Sequence, residues 1–187
     1  MEKSLKSTLV CKNVKTKTLA TIVAIVAAVA LPQVFHLLGK VSNMGTTLGE
    51  TFLPMHLAIF MVGLLAGATA GAISGALAPI ISFLLTGMPS AAMLPFMIIE
   101  LAVYGLVSGL LANKNMPVIV KLLIAQVAGR AVRALAIVAG FYLFGSVINP
   151  AVIWNSVVAG LPGLILQWIL VPLFVYYVNE KAKKDER

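Results

Sequence analysis

The sequence predicts an all-α integral membrane protein, a bundle of six transmembrane helices with both termini cytoplasmic. Hydrophobic residues make up 60% of the 187 residues and charged ones only 11%. With a mean hydropathy of +1.03, this is more apolar surface than one soluble core of this size can hide. The apolar residues fall in runs of bilayer length, separated by short polar or turn-rich connections. Finally, the basic residues behind the formal charge of +8 sit in the tails and short connections rather than along one soluble face. That distribution argues for a lipid partner and against nucleic acid.

The chain divides into a basic tail over 1–17, a membrane domain over 18–178 and a charged tail over 179–187. The first run, TLATIVAIVAAVALPQVFHLLG at 18–39, is about 33 Å long as a helix, enough to cross a bilayer. Its basic start and the triplet Ala28-Val29-Ala30 also describe a secretory signal, but apolar character resumes after Pro32-Gln33, so the segment is expected to stay. As one straight helix, residues 55–85 would run about 46 Å, beyond the hydrocarbon core. GATAG at 67–71 is therefore read as a break between a span over 54–67 and another over 69–85. After the turn-rich TGMPSAAMLP come spans over 95–112, 117–145 and 151–178.

Charge supports the even count. Lys3, Lys6, Lys12, Lys15 and Lys17 precede the first span, Lys114 and Lys121 follow the fourth, and Lys181, Lys183, Lys184 and Arg187 end the chain. They share one side, the cytoplasmic one, only if the number of spans is even. The single cysteine, Cys11, gives neither a disulfide framework nor a paired-cysteine metal motif. Ala20, Ala24 and Ala28 line one face of the first helix, and Gly63, Gly67, Gly71 and Gly75 repeat the spacing across the break. Both are stripes that let another backbone come close, within the bundle or beyond it.

Glu100, in FMIIELAVYG, is the costly residue: a carboxylate at a helix centre costs roughly 2.5–3.5 kcal/mol and needs a partner or a wet cavity. Gln126, Arg130 and Arg133, at i, i+4 and i+7, form a stripe on the fifth span that should face inward. Counting from the outer boundary places Glu100 about 9 Å deep and Arg133 and Arg130 about 17 and 21 Å deep. Two readings follow. Glu100 and one arginine form an ion pair that fixes helix order, or Glu100 and Arg133 bracket a small polar ligand, with Arg130 as the structural partner.

Near the outer boundary lie Glu50, His56, Asn149, Trp154 and Asn155. Trp154 also suits the interfacial aromatic belt. Tyr104, one turn from Glu100, either stacks on a ring or fills the bundle. His36 and His56 have no second ligand at metal spacing, so no metal or other cofactor is expected. There is no phosphate loop, no H-E-x-x-H and no G-x-S-x-G, which argues against an enzyme, whereas glycine and proline inside the spans fit a pocket built from interrupted helices.

FLPMHLAIFMVGLLAGATAGAISGALAPIISFLLTGMP, then MIIELAVYGLVSGLL, AQVAGR and GLPGLILQWILVPLFVYYV together resemble the substrate-binding S-components of energy-coupling factor (ECF) transporters. The similarity spans nearly the whole chain after the tail. It implies a six-helix subunit of the cell membrane that captures a vitamin or related compound. A transmembrane coupling subunit and two cytoplasmic ATPases supply the energy. The resemblance also implies that Ala20, Ala24 and Ala28 dock on the coupling subunit, and that the ligand lies in the outer half beneath the connection over 40–53, which brings Glu50 close. Substrate contacts are expected from Glu50, His56, Glu100, Tyr104, Gln126, Arg130, Arg133, Trp154 and Asn155. No signature singles out one compound; pantothenate, a pyridoxine-like compound and the pyrimidine precursor of thiamine all suit such a pocket. The rival expectation is a structural or assembly protein whose buried charges only organise the bundle.

Overall fold

The computed structural model describes residue 11 and residues 13–45 and 47–185. Lys3, Lys6, Lys12 and Arg187 lie outside them. The described residues form eight helices and no strand: α1 (Val14–Val41), α2 (Thr47–Phe52), α3 (Pro54–Ala66), α4 (Ala68–Thr86), α5 (Leu94–Leu111), α6 (Val118–Phe144), α7 (Ala151–Ala159) and α8 (Leu161–Asp185). Six stretches are long and apolar enough to cross a membrane, with α2 and α3 counted together over Thr47–Ala66.

Glycine and proline set where these helices stop. The break expected in GATAG is at Gly67, which ends α3 and starts α4 at φ 95, a backbone region that side chains with a Cβ rarely enter. Pro54 opens α3 within its first turn, where its missing N–H costs no helical bond. Alone, α3 has only 13 residues, about 20 Å, too short for the hydrocarbon core, and α2 completes the span.

The core is organised around α3, which packs against α1, α4, α5 and α8. Ile59, Phe60 and Leu64 of α3 are fully buried in one cluster with Leu101 and Tyr104 of α5, Leu122 and Ala125 of α6, and Val171 and Val175 of α8. The closest approach is between α4 and α5. A Cβ on Gly71 would strike the backbone of Gly105, and one on Gly105 would strike that of Gly71. In lipid, where apolar burial gives helices little reason to associate, such backbone proximity supplies the van der Waals contact.

Three expectations need correction. First, the alanine stripe of α1, expected to meet a coupling subunit, faces inward within this chain. Ala24 is 7% exposed and packs with Val62, Ala66 and Ala70, Ala28 is 0% exposed in the main cluster, and Ala20 lies against the same group. Small residues permit close approach to any neighbour, and here the neighbours are α3 and α4 of the same chain. The outward face of α1 carries Leu19, Ile22, Val23 and Val26 instead. Second, the segment over 151–178 is not one helix. It breaks at Gly160, because Pro162 has no N–H to give the carbonyl of Val158; glycine fits at the break because a Cβ there would press on Leu53 at 2.8 Å. Third, helix extends into both tails, from Val14 and as far as Asp185.

Substitutions at these contacts act on the bundle itself. Gly105→Leu forces α4 and α5 apart and should cost at least the upper part of the roughly 1–3 kcal/mol typical of overpacking. Ala24→Trp should likewise destabilise the isolated subunit, seen as a lower melting temperature in detergent and loss of a monodisperse peak. A subunit that tolerates both at wild-type stability has its helices packed differently.

Candidate functional site

At the end of the bundle away from the start of α1 and the end of α8, the second half of α1, the starts of α3 and α5 and the end of α4 surround a cavity of about 510 Å³. The short helices α2 and α7 close over it. On α7, Val152, Asn155, Ser156 and Ala159 reach it at helical spacing, and on α2 and its junction Gly49, Glu50 and Leu53 do so. Leu53 joins α2 to α3 in a left-handed conformation, φ 48 and ψ 48, unusual for a residue with a Cβ. Its carbonyl accepts a long hydrogen bond from Gln167 Nε2 at 3.4 Å.

The floor is a connected polar group in an apolar setting. Glu100, 1% exposed, accepts from the Tyr104 hydroxyl on Oε1 at 2.7 Å and pairs through Oε2 with Arg133 Nη1 at 3.1 Å. Both carboxylate oxygens therefore have a strong donor, which compensates part of the cost of taking the charge from water. Arg133 also donates from Nη1 to Ser156 Oγ at 3.3 Å and turns Nη2 towards Met93 Sδ at 3.7 Å, so α5, α6 and α7 meet at one guanidinium. Tyr104 is held from the other side by the rings of Phe60 and His56, at centroid distances of 4.8 and 5.4 Å. Gly129 on α6 leaves room for its ring, since a Cβ there would meet Tyr104 Cδ1. His56 Nδ1, Arg130 Nε and Arg133 Nε are buried without a hydrogen-bond partner, donor and acceptor capacity that such sites normally satisfy.

Of the residues singled out from the sequence, Glu50, His56, Glu100, Arg130, Arg133 and Asn155 line this cavity. Tyr104 lies beneath it, behind Glu100. Two others go elsewhere. Gln126 Nε2 donates to Gln167 Oε1 at 2.9 Å and its Oε1 accepts from Trp168 Nε1 at 2.8 Å, fastening α6 to α8. Trp154 is 70% exposed on the outer face of α7.

The arginines also exchange the roles expected of them. Arg133, not Arg130, is the partner of Glu100, and the ion pair leaves no space for a ligand between the two groups. The depth estimate failed because α6, at 27 residues or about 40 Å, is longer than a hydrocarbon core of about 30 Å, so its end does not mark the membrane boundary. Counting inward from its end therefore places Arg133 too deep.

Sequence reasoning missed Met93, Met97 and Ser156, all of which line the cavity. A signal for the methionines was present, since positions 93, 97 and 100 share one helical face. No protein-family model, curated protein or solved structure matches the chain.

The ion pair makes a double-substitution prediction. Glu100→Gln alone leaves the Arg133 charge without its counter-ion and should lower stability by about 3–5 kcal/mol, as should Arg133→Gln. The double variant should lose clearly less than the sum of the two. Thermal unfolding of the four proteins in one detergent measures this, and strict additivity means the two side chains do not interact.

Proposed function

We propose that this chain is the substrate-capture subunit of an ECF-type vitamin importer, binding a small polar vitamin or precursor at the cavity from outside. It delivers that compound through a transmembrane coupling subunit driven by two cytoplasmic ATPases and is itself no enzyme. The observation that carries this reading is the cavity. A bundle whose buried charges served only to order its helices would be expected to close on them at the packing density of protein interiors. Instead, about 510 Å³ remains beside a charged floor, within the roughly 300–1,000 Å³ of small-molecule sites. The basic tails supply the orientation. With lysine-rich termini in the cytoplasm of a cell-membrane protein, the cavity at the opposite end opens outward, under a cover formed by α2 and α7.

A second reading draws on the Glu100–Arg133 contact at 3.1 Å, which satisfies Glu100 with no ligand at all. In that view the protein is a structural or assembly subunit. Melting temperature in detergent against pantothenate, pyridoxine and the thiamine pyrimidine separates the two. A compound that binds only the folded state adds about 2.7 kcal/mol at one hundred times its Kd. A clear upward shift for one compound is the expected outcome, and no shift across a broad vitamin panel favours the structural reading.

A further inference from the structure

Charge is unevenly settled around the cavity. Both oxygens of Glu100 are taken, Oε1 by Tyr104 and Oε2 by Arg133. Glu50 is exposed at the mouth, on α2. Arg130, one turn from Arg133 on α6, also lines the cavity, yet among the described residues it donates no hydrogen bond and pairs with no carboxylate, and its Nε is buried without a partner. Its guanidinium lies by the α7–α8 junction, with Nη2 at 3.5 Å from where a Cβ of Gly160 would stand.

A guanidinium at membrane depth ordinarily faces a counter-charge, and its planar fork matches a carboxylate through two parallel hydrogen bonds. We propose that the ligand of this cavity is a monocarboxylate, with its carboxylate received by Arg130. The inference rests on the capture reading above and narrows it to one chemical class. One uncommitted guanidinium matches one negative charge. A phosphate dianion calls for more donors than the single Arg130 beside an already paired Arg133. A cationic ligand would find the floor carboxylate already engaged on both oxygens. The remaining wall, with Met55, Met93 and Met97 apolar and His56 and Asn155 able to hydrogen-bond, suits a carboxylate on a largely uncharged body.

The test has a ligand-free arm and a binding arm. In the ligand-free subunit, Arg130→Gln removes a charge that has no partner among the described residues, so its melting temperature should stay level or rise, while Arg133→Gln strands Glu100 and melts lower. In the binding arm, wild type is titrated with matched acids and neutral analogues: pantothenate with panthenol, nicotinate with nicotinamide, biotin with its primary amide, and pyridoxal phosphate with pyridoxal. The acid of one carboxylate pair should bind and its neutral partner should not, and Arg130→Gln should weaken the acid about ten- to a hundredfold, the worth of hydrogen bonds to a charged group. The proposal is overturned, with capture intact, if a neutral member binds as well as its acid, if the phosphate ester is the binder, or if Arg130→Gln leaves acid binding unchanged. It is overturned too if ligand-free Arg130→Gln melts as low as Arg133→Gln, since the guanidinium is then structural. Silence from every pair counts against the capture reading itself, and the inference falls with it.

Discussion

An ion pair of 3.1 Å between Glu100 and Arg133, set among apolar helices, is the constraint the rest of this end of the bundle has to meet. Neither charge is tolerable alone at that depth, so α5 and α6 must hold a fixed rotation and height relative to each other. Tyr104 and Ser156 take up further hydrogen-bonding capacity of the pair. That places demands on their neighbours: Phe60 and His56 must pack the tyrosine ring, Gly129 must leave it room, and α7 must lie where Ser156 can reach Arg133. A polar contact of two atoms thereby positions four helices.

Holding that geometry in lipid requires a rigid frame, and the frame is backbone-on-backbone packing. Gly71 against Gly105 locks α4 to α5, the alanines of α1 lie on α3 and α4, and Gln126, bonded to both Gln167 and Trp168, fastens α6 to α8. These contacts sit mostly below the cavity, towards the termini or midway along the helices. Above them the helices are free to spread around the 510 Å³ space without loss of registry, which is how a tightly packed bundle can also carry a cavity.

Much of this was legible in the sequence because lipid imposes few solutions. Apolar runs, the glycine at the GATAG break and the conflict posed by Glu100 each follow from a cost that water would have softened. What was not legible depended on which of two equally good neighbours a feature meets. The stripe of Ala20, Ala24 and Ala28 marks close approach but does not say whether the approaching helix belongs to the same chain. Arg130 and Arg133 are three residues apart on one face, and only the relative rotation and height of α5 and α6, which no hydropathy pattern encodes, bring Arg133 within 3.1 Å of Glu100. The break in GLPG at 160–163 was readable, since glycine followed by proline ends a helix, but the long apolar run around it masked the signal.

The cover is built differently from the frame. Neither α2 nor α7 has a buried residue of its own, so each is held by few contacts, the condition under which a segment moves at low cost while the core stays intact. The two are not equivalent. The end of α2 lies against α8, where a Cβ on Gly163 would meet the backbone of Thr51 and Phe52, its Phe52 ring stacks with Phe35 of α1 at 5.4 Å, and its junction with α3 is the left-handed Leu53 tied to Gln167. By contrast, among the described residues α7 reaches the floor through the hydrogen bond from Arg133 to Ser156. In the proposed capture role, a ligand received by Arg130, one turn from Arg133 on α6, would sit beside the polar tie between α6 and α7, while α2 stays pinned at its end nearest α3. Of the two parts of the cover, α7 is therefore the less firmly tied, on the side of the cavity where Arg130 lies.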